Sequence, residues 1–252
     1  MGRQGGSVTT WTAGAVRSLA AVGDAVLMAL LPPRCHACDR PLATRVRHGL
    51  CESCLVVLGH DAGSRCRVCD APFAPELCDA CAEVPPPFAA VVAPYVYGGV
   101  ATELVTKAKF SRREDVAVGL ARLVADDARV RAAAAGAQCL VPVPLGRRRR
   151  RERGFNQSAV MARVLGRALH LPVVHALVRT RDTAPQSELP LASRRANVHD
   201  AFRSVRPVTG TCLLVDDVVT SGETARQAAA ALRDAGAGQV IVIAAARTPV
   251  RD

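Results

Sequence analysis

Aromatic side chains are scarce: one Trp, two Tyr and five Phe amount to 3% of the 252 residues. A core with so few rings must be built from Val, Leu and Ala, which suits α/β packing better than an aromatic-rich sandwich. The scarcity also removes the stacking platform that a single-stranded nucleic-acid binder interleaves with its cations. Only Phe110, Phe155 and the Tyr95/Tyr97 pair lie near basic residues or a strand edge. A long uninterrupted apolar run is lacking too. The stretch 14–31 is broken by Arg17 and Asp24 and has no clear cleavage site. It is expected to form an amphipathic docking helix rather than a transmembrane segment or export signal, in a cytoplasmic protein. No Gly-x-x-x-x-Gly-Lys-[Ser/Thr] loop occurs, and no Gly-x-Gly-x-x-Gly follows a strand, so neither standard nucleotide fingerprint applies.

What is present begins with enough apolar matter, 50% of the chain, for one main domain plus a small accessory unit. A formal net charge of +11 favours phosphorylated or polyanionic partners. The densest basic block, GRRRRRERGFNQS at 146–158, carries five consecutive arginines and then Arg153, and by itself reads as a flexible, solvated loop.

Ten cysteines complete the unusual composition, and eight form four Cys-x-x-Cys pairs: Cys35/Cys38, Cys51/Cys54, Cys66/Cys69 and Cys78/Cys81. Two such pairs close one tetrahedral thiolate site for Zn²⁺, so two structural zinc ions are expected, each saturated by four sulfurs with no open position for water. A disulfide framework would need an oxidising compartment, and a redox protein needs one reactive pair rather than four. Chain order suggests Cys35, Cys38, Cys51 and Cys54 for one ion and Cys66, Cys69, Cys78 and Cys81 for the other, although a cross-braced pairing satisfies the same spacing. His36, His48 and His60 are read as surface residues, and Cys139 and Cys212 as small strand-core residues. Metal binding is expected to supply most of the folding free energy of so short and polar a segment.

The proline linker EVPPPF, residues 83–88, marks the best boundary. The expected organisation is an N-terminal segment over 1–34, a double zinc-ribbon module over 35–84 and an α/β domain over 88–252. In the latter, 89–97 reads as a strand or strand pair, 114–135 as a helical stretch and 139–143 as a strand. A helix over 156–170, the strand VVHALV, and a polar loop over 180–195 follow. A strand over 211–215, a helix over 222–235 and a last strand over 240–245 complete the pattern. The alternation predicts a parallel sheet covered on both faces, with its ligand beyond the carboxyl ends of the strands.

At that end stands CLLVDDVVTSGETARQ, residues 212–227. Thr220, Ser221, Gly222, Glu223 and Thr224 form a small-residue turn entering a helix, where backbone N–H groups, hydroxyls and the positive end of the helix dipole converge into a phosphate cradle. Asp216 and Asp217 immediately before it would repel the phosphate, so they face a hydroxyl-bearing or metal-bearing part of the same ligand. A ribose 5-phosphate satisfies both halves.

The run of four apolar residues, two acids, two apolar residues and Thr-Ser-Gly-x-Thr resembles the phosphoribosyl-pyrophosphate (PRPP) motif of the type I phosphoribosyltransferases. The resemblance implies that Asp216 and Asp217 bind the ribose 2- and 3-hydroxyls and that the 220–224 turn holds the 5-phosphate, with Mg²⁺ carried mainly by pyrophosphate and ribose oxygens of PRPP. Members that act on purines can have an aspartate where this chain has Thr220, which argues against purine salvage. The order of the whole chain is similar to that of the ComF family of competence-associated proteins: four cysteine pairs, AKF at 108–110, LVPVPL followed by RRRRRERGFNQS, the run 178–202, and the PRPP motif. That family implies a zinc ribbon before a phosphoribosyltransferase-like domain and a link to the DNA-uptake machinery. It further implies a pyrophosphate loop at Val143, Pro144, Leu145 and Gly146, with Lys109 and Arg153 as added donors. A hood over 183–197 would contribute Thr183, Gln186, Arg195 and Asn197. Two functional classes follow: an enzyme transferring phosphoribose to an acceptor, or an adaptor that handles single-stranded DNA through its arginines and keeps the PRPP site as a sensor.

Overall fold

The computed structural model describes residues 32–44, 46–58, 63–180 and 201–249. The helix expected over 14–31, His60, and Thr183, Gln186, Arg195 and Asn197 lie outside the described residues.

In chain order the elements begin with two short helices in the cysteine-rich region, α1 (Glu52–Leu58) and α2 (Asp79–Glu83). Strands β1 (Ala90–Val92) and β2 (Tyr95–Val96) follow, then helices α3 (Gly99–Phe110), α4 (Glu114–Asp126) and α5 (Ala128–Ala134). Next come β3 (Cys139–Pro142), α6 (Arg147–Arg153) and α7 (Gln157–Leu169). The chain continues through β4 (Leu177–Arg179), β5 (Phe202–Ser204), β6 (Thr211–Val215) and β7 (Val218–Val219). Helix α8 (Glu223–Asp234), β8 (Gln239–Ile243) and β9 (Ala246–Arg247) end the described chain.

Four strands form a parallel sheet in the order β1-β8-β6-β3. Strand β6 pairs β3 from Cys139↔Cys212 to Pro142↔Val215. Alternation along the strands splits the interior in two, as a period of two demands. Leu140, Leu213, Val215 and Ile243 face α3, α4 and α7, whereas Val141, Cys212, Leu214 and Val242 face α8 and the antiparallel β4-β5 pair. The sheet is thus covered on both faces, as the apolar strands require. A second, three-stranded parallel sheet, β2-β9-β7, stands beyond the carboxyl ends of the first.

Local chemistry explains where the elements differ from the sequence reading. The helical stretch 114–135 is broken at Asp127, whose extended backbone caps α5 and whose carboxylate accepts from the N–H groups of Arg129 and Val130. VVHALV is not one strand: Val173 makes a single parallel bridge to Leu140, and only Leu177 and Val178 enter β4. The arginine block is a helix rather than a loop, ended by Gly154 at φ 80°, and it buries no side chain.

The cysteine-rich region is bonded to the sheet domain at many points. Lys107 of α3 donates to Ala37 O at 2.6 Å and pairs with Asp39. His36 and His48 are half-buried rather than surface residues: they stand 3.3 Å from Asp115 and 2.8 Å from Asp126 on α4. Close approach explains the difference, since a Cβ on Gly119 of α4 would lie 2.5 Å from His48 O and 2.8 Å from His36 Nδ1.

Candidate functional site

Beyond the last residue of β6 the ladder lets two side chains go. Asp216 still donates its N–H to Ile243 O at 2.9 Å, but its carboxylate emerges at the sheet end. Asp216 Oδ1 accepts from Ser158 Oγ at 3.0 Å and from the Asp217 N–H at 2.9 Å. Asp217 is buried, and its Oδ1 lies 3.0 Å from Lys109 Nζ at the end of α3. Burial, reinforced by the neighbouring Asp217 carboxylate, pushes the Asp216 carboxyl up to about 7; Lys109 and the hydrogen bonds to Oδ1 pull it down only in part.

The turn after β7 lies beside this pair. Thr220 and Ser221 are exposed, Gly222 takes φ 81°, and Glu223 opens the twelve-residue helix α8. The left-handed Gly222 lets the chain reverse into the helix, which leaves the first-turn N–H groups of α8 facing outward. A concavity of about 20 Å³ is lined by Asp216, Thr220, Gly222, Glu223 and Thr224, so Asp216 and the turn share one wall. Ser221 Oγ accepts from the Glu223 N–H at 3.4 Å.

The remaining expected residues converge from two other elements. Val143 N donates to Val215 O at 2.9 Å, which puts the turn Val143, Pro144, Leu145 and Gly146 next to Asp216. Asn156 fixes that turn by donating to Val143 O at 2.9 Å while capping α7 through Ser158 N. Arg153 bonds Gln157 at 3.2 Å and lies 5.3 Å from the centre of the Phe110 ring. Burial lowers its basicity, and the fields of Asp217 and Asp216 oppose that effect. Lys109, expected near a pyrophosphate, is ion-paired to Asp217. Ser158 was not singled out from the sequence, where a serine on the first turn of a helix reads as an ordinary cap.

Two further clusters sit in the cysteine-rich region. The sulfurs of Cys35, Cys38, Cys51 and Cys54 lie within 4.8 Å of one another, and so do those of Cys66, Cys69, Cys78 and Cys81. The pairing is therefore sequential, not cross-braced. The Cys38–Cys51 and Cys69–Cys78 sulfur separations are 3.7 and 3.6 Å. The edge of a tetrahedron with Zn–S near 2.3 Å is about 3.8 Å.

The electrostatics point to the same ion. Burial raises the Cys66 thiol, yet N–H donors from Cys69, Cys78 and Val68 outweigh it and bring it to about 6; Cys35 is held at about 6 in the same way. Burial and the neighbouring sulfurs drive Cys54 up to about 12 and raise Cys81 as well. Four clustered thiols cannot all ionise without a cation, and a divalent ion that prefers sulfur resolves the conflict. These are structural zinc clusters.

Comparison with known proteins agrees with this division. Residues 26–83 match the double zinc ribbon domain. The DNA utilization protein YhgH of Escherichia coli strain K12 is 36% identical over 228 residues, covering 88% of this chain and 100% of the relative. Competence protein F of Haemophilus influenzae is 33% identical over 116 residues, 44% of this chain and 50% of that protein. Among solved structures, a glutamine PRPP amidotransferase from B. subtilis complexed with ADP and GMP aligns with a TM-score of 0.39 and 22% identity. That alignment spans 56% of this chain and 30% of the other. Identity of this level over the full length of YhgH, together with the double zinc ribbon, places the chain in the ComF family.

Proposed function

We propose that this ComF-family protein binds PRPP with Mg²⁺ and transfers its phosphoribosyl group to an acceptor, in the cytoplasm, in the service of DNA uptake. The observation that carries the reading is the shared wall of Asp216 and the turn at Thr220, Gly222, Glu223 and Thr224, with Asp217 bonded to Asp216 through its backbone N–H: a carboxylate stands beside a turn of N–H and hydroxyl donors. Asp216 and Asp217 would accept from the ribose hydroxyls, and Thr220, Ser221, Gly222, Glu223 and Thr224 would hold the 5-phosphate. Magnesium would arrive on the oxygens of PRPP itself. In the transferase reaction the C1–O bond to pyrophosphate breaks, so positive charge grows on the ribose ring while negative charge leaves with the pyrophosphate. The carboxylates would stabilise the first, and Arg153 with the N–H groups of the 143–146 turn the second. Lys109, holding Asp217 now, would become available to the leaving group once ribose hydroxyls satisfy that carboxylate. Residues 35–84 would serve as the metal-stapled module and 88–252 as the ligand-binding domain.

Transfer is tested by incubating the zinc-loaded protein with PRPP, Mg²⁺ and a panel of bases and amines, and measuring pyrophosphate release. Release that depends on one acceptor class supports the reading; none with any acceptor, alongside tight PRPP binding, reduces the site to a sensor.

One observation favours a second reading, in which the protein also handles single-stranded DNA. Helix α6 presents Arg147, Arg148, Arg150 and Arg151 to solvent, and Arg148 is tied along the helix to Glu152 at 2.8 Å. Beside it a cavity of about 560 Å³ is lined by Arg147, Arg150, Arg179 and His175. With few aromatics available, such binding would be electrostatic and blind to sequence.

A further inference from the structure

Among the described residues Arg247 is the one buried arginine or lysine, 5% exposed, and no carboxylate among them pairs with it. Its partners are backbone and hydroxyl oxygens on two sides. Nε donates to Cys69 O at 3.0 Å, inside the second zinc cluster. Nη1 faces Val219 O at 3.2 Å, Thr220 O, and Thr248 O at 3.0 Å, at the root of the phosphate cradle. Thr248 adds its N–H to Val219 O at 3.1 Å and its hydroxyl to Thr220 O at 3.2 Å. Burying a guanidinium without a counter-ion is expensive unless its donors are all used, so this arrangement calls for a reason.

The peptide plane supplies one. In a trans peptide the C=O and the following N–H point in opposite directions. Drawing Val219 O and Thr220 O onto Arg247 therefore turns the N–H groups of Thr220 and Ser221 the other way, and among the described residues neither finds an acceptor. Residues 220–224 themselves add nothing to the apolar cores, although Val219 and Ala225 on either side are buried in one. A cavity of about 830 Å³ lies between it and the second cluster, bordered by Cys81, Phe88, Tyr97, Thr220, Gly222 and Arg226. What crosses from cradle to cluster is hydrogen bonding: Arg247 to Cys69 O, and Arg226 on the first turn of α8 to Val84 O at 3.0 Å. The second cluster has little core of its own beyond its cysteines, Ala71, Ala74 and the half-buried Val68. Cys69 O is held in place by the metal-tied sulfurs together with the flanking bonds from Val91 N–H to Val68 O at 2.8 Å and from Ala93 N–H to Asp70 at 2.7 Å.

We propose that Arg247 is a positioning residue that couples zinc in the second cluster to the affinity of the 220–224 turn for phosphate. The inference rests on the PRPP-binding reading above and extends it: the zinc ribbon is part of the cradle's support, not only a staple for its own fold. Zinc in the first cluster, which packs on α3 and α4, lies outside this circuit.

The test is a calorimetric titration of the full, zinc-loaded chain with PRPP and Mg²⁺. Arg247→Met is expected to weaken binding by about tenfold or more, the size of a lost charge-assisted hydrogen bond, at unchanged zinc content. Arg247→Lys should recover part of that loss, because an ammonium reaches the turn carbonyls but lacks the fork that spans to Cys69 O. Removing the second zinc with Cys78→Ser/Cys81→Ser should weaken binding in the wild-type background and add little in Arg247→Met or Arg247→Lys. Equal additional losses in all three backgrounds would overturn the coupling. If the double serine variant fails to fold, Arg247→Met binding within twofold of wild type still overturns it. Wild-type protein that binds PRPP beside such a result leaves the functional reading intact, whereas wild-type protein that binds none removes both.

Discussion

Replacing Asp216 by Asn should stabilise the unliganded protein at neutral and alkaline pH. The Asp216 carboxyl is raised from 3.8 to about 7, chiefly by burial and then by Asp217. A raised carboxyl binds its proton more tightly in the folded than in the unfolded chain. Its contribution is therefore fully present below pH 4 and is lost as the pH rises towards 7. Three units at about 1.4 kcal/mol each bound the loss at about 4 kcal/mol above pH 7. Asparagine avoids that loss and keeps an oxygen acceptor for Ser158 Oγ and the Asp217 N–H. Its amide donors now need partners at a site prepared for an anion, so the expected net gain is about 2 kcal/mol at pH 8. Urea unfolding of both proteins at pH 5 and pH 8, zinc-loaded, measures it. Protonation of the zinc thiolates affects both alike and cancels in the difference. A gain that is the same at both pH values, or an Asn variant less stable than wild type at pH 8, would refute the reasoning.

Further outcomes follow from the same structure. Elemental analysis should find two zinc ions per chain and, for Cys78→Ser/Cys81→Ser, one; one or none in the wild type contradicts the two-cluster account. Gly119→Ala should cost about 1–3 kcal/mol in urea unfolding, since the new Cβ meets His48 O and His36, and this outweighs the gain of about 1 kcal/mol in helix propensity. Unchanged or increased stability would show that the first cluster does not seat on α4 as described. Retention of single-stranded DNA should fall steeply with added salt and drop further in Arg147→Gln/Arg148→Gln/Arg151→Gln; no retention at low salt sinks the DNA reading.

The parts of this fold that announce themselves in sequence are those where one residue type has one use. Cys-x-x-Cys pairs fold as metal knuckles, and TCLLV before two acids is a buried strand whose bounds, Thr211–Val215, coincide with the reading. The acids and the small-residue turn were legible because their chemistry is local. Helix α3 was not: GVATELVTKAKF opens on glycine and carries β-branched residues through its first two turns, so its helical nature depends on tertiary packing of Ala101, Leu104, Val105 and Ala108. That helix nevertheless delivers Lys109 to Asp217. Arg247 was invisible for a different reason. An arginine two residues before a proline near a chain end reads as solvated, and only the crossing of β9 between β2 and β7 puts it beneath the cradle. The histidines erred in the same direction, since their partners lie dozens of residues away on α4.

The central claim is that Asp216 and Asp217 with the 220–224 turn hold PRPP. Titrating PRPP and Mg²⁺ into the zinc-loaded wild type and into Asp216→Asn/Asp217→Asn reads it most directly. The account predicts saturable binding to the wild type at one site per chain and at least a tenfold weaker affinity for the double variant, equivalent to losing about 1.4 kcal/mol of hydroxyl recognition. Equal heats from both proteins, or none from the wild type, would contradict it.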